Sequence, residues 1–503
     1  MLLALCFPPV DRGGLVWLAL TPLIAAVWFG SKRPFLAGYV AGLVFFTATF
    51  QWLHALAELF QAPALFGLPL LLGAYLALYP AAWAWFLARV QPQSFINSWR
   101  NLATGALAAS AWTALEWVRG WMLSGFGWNG LGVALHRDLP MIQIAEFTGT
   151  LGLTWLVAFV NVMIVIIIRR IVGEIGPGFL KRVRWEFSIS VSLVMLVFGF
   201  GIRRLLREQP APSASLRIAA IQPNIPQEQK FNRAAEDETF ETLERLTLMA
   251  AAMQPDLILW PEASTPRGLF ADHEVFDRFE KLRAQVASPM LVGTVEDDFE
   301  TDQPRTYNSA LLLPAGPGPL TERPPTYRKI HLVPFGEYLP LRPLLNPIAG
   351  GLVPGDIAAG SDLTVFRVRD TRVVALICFE DTLGDLTRRF VQRGADVLVN
   401  ITNDGWFLRT CGAETHLANS VFRAVENRRP LVRCGNTGVT ALVRPTGHVD
   451  RWLEPHREGF TARPLELRAT PSTFYSRFGD WMGWLCGAAT GLALSARKLF
   501  AGR

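Results

Sequence analysis

The sequence predicts a polytopic α-helical membrane bundle joined to an extracytoplasmic α/β domain. Three observations support this. Apolar runs fill roughly the first 205 residues and return once near the end. Basic residues concentrate in alternate loops between those runs. From Ser215 to about Pro471 the pattern changes to short β-rich segments alternating with stretches of helical periodicity. Composition agrees: 51% of the 503 residues are hydrophobic and only 18% are charged, against about 25% charged in soluble domains.

The apolar runs are Leu15–Gly30, Phe35–Leu56, Leu65–Ala88, Leu102–Trp121, Leu151–Ile168, Phe187–Ile202 and Trp481–Leu494. Each approaches the ~20 residues needed to cross a bilayer. Residues 1–9 are apolar but too short to span, so they read as the stub of another helix. A cleaved leader is disfavoured because no basic segment precedes them. Lys32 and Arg33, then Arg89 and Arg100, then Arg169, Arg170, Lys181, Arg182 and Arg184 mark three basic loops, and Arg497, Lys498 and Arg503 follow the last run. The loops between hold only Arg137, so the basic side is expected to face the cytoplasm and the α/β region the periplasm. Arg203, Arg204 and Arg207 run against that trend. The net charge of +6 forms no continuous basic stripe and accompanies no nucleic-acid motif. Glu116 and Arg119 are spaced to pair on one helix face. Trp112, Trp117, Trp121 and Trp128 suggest an interfacial belt.

A Pro-containing linker, 208–214, leads into the α/β region. Strands are expected at 215–222, 256–260, 290–295, 309–314, 372–378, 396–400, 431–435 and 439–444, and helices at 233–253, 272–286, 381–393 and 414–428. The apolar, Pro- and Gly-rich segment 341–360 reads equally as a mobile arm over the bilayer that gates lipid entry and as an ordinary packed loop. Five cysteines without a CxxC pair argue against a zinc site. Cys411 and Cys434 could pair in an oxidising compartment, a matter that spacing does not decide.

The chemistry concentrates at strand ends. TRVVALIC ends in Cys378 and continues into Phe379, Glu380 and Asp381. LILWPEAS places Glu262 just beyond an apolar strand. YRKIHLVPFGEYLP carries Lys329 and Glu337. A thiol, a carboxylate and an amine are the parts of covalent acyl chemistry: nucleophile, base and oxyanion partner. Alone, Cys378 would read as a core thiol, and Glu262 and Lys329 as a structural ion pair. The three motifs together favour function.

These motifs resemble the nitrilase superfamily with its Glu-Lys-Cys triad. With the N-terminal runs, LEWVRGWMLSGFGW, IQPNIPQEQKF, NDGWF and the C-terminal run, the order along nearly the whole chain resembles the apolipoprotein N-acyltransferase family. The resemblance implies membrane helices over 1–207, a linker at 208–214, an αββα sandwich over 215–471 and a last span at 479–497. It implies a multi-pass protein of the bacterial inner membrane with its catalytic domain on the periplasmic face. The donor would be a phospholipid, the acceptor a diacylated apolipoprotein, with the bilayer as partner, no nucleic acid and no cofactor or metal. Cys378 would carry the acyl group as a thioester, Glu262 would act as base and Lys329 would hold the oxyanion. Glu337, Glu380, Phe379 and Phe231 would support the triad or bind substrate. Phe379 and Phe231 stand where relatives often have Tyr and Trp, and Leu408 and Arg409 depart from the family pattern after NDGWF. The rival readings are a membrane-tethered amidase and an inactive membrane scaffold.

Overall fold

Several polar side chains on the long N-terminal helices bond to neighbouring helices and loops inside the first of two units. In the computed structural model the described residues are all except 174–183, 208–209, 231, 266–267, 271, 299–304, 317–322, 352–354 and 502–503. The chain divides into one unit of Met1–Arg207, Thr410–Glu426 and Thr473–Arg503, and a second of Glu208–Arg409 and Asn427–Ser472.

Among the described residues of the first unit, three helices are long and apolar enough to cross a bilayer: Pro63–Arg89, Thr150–Gly173 and Arg184–Leu206. Phe187, Val191, Met195 and Leu196 on the last are exposed, as lipid-facing residues would be. The run predicted at Phe35–Leu56 is two helices, Pro34–Thr49 and Gln51–Leu59, bent by 53°. The run at Leu15–Gly30 is a 3₁₀ turn, Gly13–Trp17, followed by a short helix, Thr21–Phe29. Ser98–Arg119 and Trp481–Ala501 have the length of a span but are less apolar, because Ala, Thr, Ser and Gly dilute their Leu content.

Small residues let two of these helices approach closely. A Cβ on Gly38 would stand 2.4 Å from the Pro80 carbonyl oxygen, and one on Gly42 2.9 Å from Ala77 Cα. One buried ion pair joins these helices: Arg170 Nη1 lies 2.5 Å from Glu186 Oε1, which also accepts from Asn101 Nδ2 at 2.8 Å. Glu116 and Arg119 do not form the expected pair. Glu116 accepts from Trp112 Nε1, the Leu131 amide and Thr154 Oγ1. Arg119 donates to the Trp128 and Gly127 carbonyls. The tryptophan belt also needs correction: Trp121 is exposed, whereas Trp112 and Trp128 are buried. Packing outweighed the interfacial preference of the indole ring at those two positions.

The second unit is built on two six-stranded sheets. Its strands are β1 (Ala214–Gln222), β2 (Leu257–Leu259), β3 (Met290–Asp298), β4 (Arg305–Leu313), β5 (Thr326–Arg328), β6 (Phe366–Val368), β7 (Thr371–Ile377), β8 (Val397–Thr402), β9 (Leu431–Gly435), β10 (Thr440–Val443), β11 (Val449–Leu453) and β12 (Gly459–Leu467). One sheet runs β12-β1-β2-β3-β4-β5 and the other β11-β10-β9-β8-β7-β6. The central pairs β1–β2, β2–β3, β7–β8 and β8–β9 are parallel. Strands buried on both faces read as continuous apolar runs, which is why most were legible. The Cys434 thiol on β9 donates to the carbonyls of Ile221 on β1 and Leu259 on β2, at 3.3 and 3.5 Å, so the two sheets meet there. Cys411 and Cys434 are both free thiols.

Helices Glu236–Ala251 and His273–Arg283 cover the first sheet. Phe240, Leu243, Phe279 and Leu282 pack there with Trp260, Ile258 and Val292 in one buried core. Helix Gly384–Gln392 joins β7 to β8 as a crossover. Within 341–360, Arg342–Ala349 is a short helix with Leu341 and Leu344 exposed.

Candidate active site

Parallel strands end together, so residues just past β2 and β7 converge at one edge of the paired sheets. Glu262 follows β2 and is 7% exposed; Ala263, next to it, has φ +45°. Cys378 follows β7 with φ +53° and opens a 3₁₀ turn, Cys378–Thr382. Lys329 follows β5 and is 1% exposed. All three residues expected from the sequence therefore lie in one small region, together with Glu337.

Glu262 is held by two donors. Its Oε1 accepts from Asn308 Nδ2 at 2.7 Å and its Oε2 from the Asn403 amide at 2.9 Å. Lys329 Nζ stands 3.6 Å from Glu262 and 2.8 Å from Glu337. Glu337 also accepts from Asn308 Nδ2 at 3.0 Å and the Val333 amide at 2.8 Å. Burial pulls the Lys329 ammonium down, but Glu337, then Glu262 and Cys378 together outweigh it and push it up, so the lysine is a fixed cation.

The Cys378 thiol is half-buried. Burial and the adjacent Glu262 hold it well above the ordinary thiol range, and Asp404 adds to this. Lys329 and a hydrogen bond with Thr402 pull the other way. The resting group is a neutral thiol, which needs a base to become a nucleophile.

Glu380 is fully buried. Its Oε1 accepts from Tyr327 Oη, the Ile330 amide and the His331 amide at 2.8, 2.8 and 3.0 Å; its Oε2 accepts from the Ile377 amide at 2.9 Å. Burial pushes its carboxyl up to about 7 against those donors. One side chain thus ties the residue before the thiol to the segment that carries Lys329. Phe379 is half-buried beside the thiol. Phe231 lies outside the described residues.

Sequence reasoning missed several participants. Asn308 sits inside β4 and bridges the two carboxylates. Asn403 and Asp404, inside the noticed NDGWF motif, reach Glu262 and the thiol. Lys230, inside the noticed IQPNIPQEQKF motif, donates from Nζ to the Glu262 carbonyl at 2.7 Å. Arg433 is fully buried and pairs with Asp381. A polar residue whose partners come from distant strands leaves no local signature.

Residues 1–163 match the apolipoprotein N-acyltransferase N-terminal domain and residues 217–454 the carbon-nitrogen hydrolase domain. A Geobacter metallireducens protein named apolipoprotein N-acyltransferase is 34% identical, the alignment covering 99% of this chain and 94% of that protein. A Methylococcus capsulatus protein of the same name is 30% identical over 99% of this chain and 95% of its own length. Among solved structures, Saccharomyces cerevisiae Nit3, described as a member of branch 10 of the nitrilase superfamily, is 15% identical with a TM-score of 0.38, covering 51% of this chain and 91% of that one.

Proposed function

The chain belongs to the apolipoprotein N-acyltransferase family, and from that premise we propose that it moves a fatty acyl group from a phospholipid to the α-amino group of an apolipoprotein's diacylglyceryl-cysteine, through a thioester on Cys378. The nitrilase-like α/β fold suits acyl transfer. The observation that carries the mechanism is the meeting of Glu262, Lys329 and a half-exposed Cys378 around one point.

Glu262 takes the thiol proton as the sulfur attacks the ester carbonyl. The C–S bond forms, the ester C–O bond breaks, and Glu262 returns the proton to the departing alkoxide of the lysophospholipid. In the second half-reaction the acceptor amine attacks the thioester. The C–N bond forms and the C–S bond breaks. The amine proton passes through Glu262 to the released thiolate. Lys329 and a backbone N–H after Cys378 stabilise the oxyanion in both steps. Glu337 and Glu380 are assigned support of this geometry, and Phe379 and Phe231 contact with the acyl chain.

We take 1–207 and 479–497 as the polytopic membrane part, 208–214 as the linker and 215–471 as the catalytic domain. The periplasmic face of a bacterial inner membrane is assigned from the loop charges. Against a membrane-tethered amidase, the apolar helices favour a substrate that arrives from lipid.

The test is the intact mass of the purified protein after incubation with phospholipid, with and without Cys378→Ser. A gain of one acyl group, released by neutral hydroxylamine and absent in the variant, is expected. A folded, lipid-binding protein that never gains the mass would overturn the proposal.

A further inference from the structure

Lys230 lies on the turn after β1, with its backbone amide bonded to the Pro226 carbonyl at 3.1 Å. Its side chain is 6% exposed. Among the described residues, the Nζ gives one hydrogen bond, to the backbone carbonyl of Glu262 at 2.7 Å, and is in ion-pair contact with no carboxylate. An ammonium has three donors and a high cost of burial. A buried lysine spending one donor on a neutral carbonyl is expensive unless nearby charge compensates for it. The charges felt by Lys230 are those of Glu262 and Cys378.

We propose that Lys230 is a positioning residue of the acylation site, a second cation held beside Glu262 that balances the negative charge shared by Glu262 and the Cys378 sulfur. This inference rests on the acyl-transfer reading above. The surrounding charges make the case. Lys329 is already committed to Glu337 at 2.8 Å. Asp404, which also faces the thiol, lies 3.5 Å from Arg433. With both lysines charged, Glu262, Glu337, Lys230 and Lys329 sum to zero. Moving the thiol proton to Glu262 then leaves the cluster neutral. Without the Lys230 charge, the cluster carries one uncompensated negative charge throughout, and the thiolate forms without a second cation beside it in a buried site. Burial brings the ammonium to about 8, against the pull of Glu262 and Cys378, so the charge is present at neutral pH.

The experiment uses the full chain in detergent micelles and follows alkylation of Cys378 by iodoacetamide, by intact mass, from pH 6 to 10. Lys230→Gln keeps an N–H donor toward the Glu262 carbonyl and removes the charge. Lys230→Met removes both. The expected result is alkylation about tenfold slower at pH 7 in both variants, with the difference fading as pH rises through about 8, where the unaltered lysine loses its own charge. A Lys230→Gln protein with the unaltered profile would overturn the inference, because the hydrogen bond alone would then suffice. A Lys230→Gln protein that fails to fold would also overturn it, making the side chain a requirement of the fold. Should Lys230→Met alone fail to fold, Lys230→Gln still decides. Glu262→Gln, run in parallel for thioester formation from phospholipid, separates the two levels. If Glu262→Gln forms the thioester normally, the acyl-transfer mechanism itself fails. If it is inert while the Lys230 variants behave as the unaltered protein, only the Lys230 inference fails.

Discussion

The Lys329 ammonium belongs to Glu337 more than to Glu262: its Nζ lies 2.8 Å from Glu337 Oε2 and 2.9 Å from Oε1, against 3.6 Å to Glu262. The carboxylate assigned as base is therefore not spent on the lysine. Glu337→Gln is expected to let Lys329 swing to Glu262 and tie up the base. Thioester formation in a single turnover, read by intact mass, should fall by about 10–100-fold in a protein that still folds. An unchanged rate would remove Glu337 from the positioning role.

Glu380 makes stability depend on pH in a stated direction. In the fold its carboxyl titrates at about 7 rather than the ordinary 4.5. Between those values the folded chain keeps a proton that the unfolded chain has lost. The contribution of this group is most favourable below about pH 4.5 and declines as pH rises through 7, by at most about 3 kcal/mol. Glu380→Gln abolishes that component, although it should also weaken the staple. Melting temperatures of both proteins between pH 4.5 and 8 are expected to diverge in slope. Parallel curves would mean that Glu380 stays charged throughout.

The Arg170–Glu186 pair is fully enclosed among helices. Glu186→Ala leaves Arg170 buried without its carboxylate, at a cost of about 3–5 kcal/mol. Replacing both residues with apolar ones should recover most of that loss. Thermal unfolding in detergent, followed by tryptophan fluorescence, checks this; a single variant as stable as the double would show that water reaches Arg170.

The strands leading to Glu262 and Cys378 were legible because each is a short apolar run that stops at a charged or reactive residue, as LILW stops before Glu262 and VVALI before Cys378. The edge strand β12 was not. It pairs with β1 along Ala214↔Leu467 to Gln222↔Gly459, yet contains Pro464 and alternates toward solvent, which a strand tolerates at a sheet edge. The 53° bend in the second apolar run was hidden because both arms are equally hydrophobic. Asn308 lies one residue before the strand expected at 309–314 and gave no signal of its own. Its worth depends on two carboxylates brought from residues 46 and 29 positions away. Glu380 was noticed for its place beside the thiol, but three of its four donors come from the 327–331 stretch, about 50 residues away. Pattern reading locates residues that end elements; it does not locate those whose partners are assembled only by the fold.

The backbone at Cys378 would be more comfortable with a different amino acid. A φ of +53° suits glycine and costs other residues about 1–2 kcal/mol. Asn400 Nδ2 on the Cys378 carbonyl at 2.9 Å and Glu380 on the Ile377 amide hold the kink in place. If Cys378 carries the acyl group as proposed, thermal robustness and turnover pull in opposite directions at this one position. On the proposed chemistry, a screen that rewarded heat resistance alone would drift toward glycine there and discard the thiol, so any effort to toughen this protein has to leave its weakest-fitting residue alone.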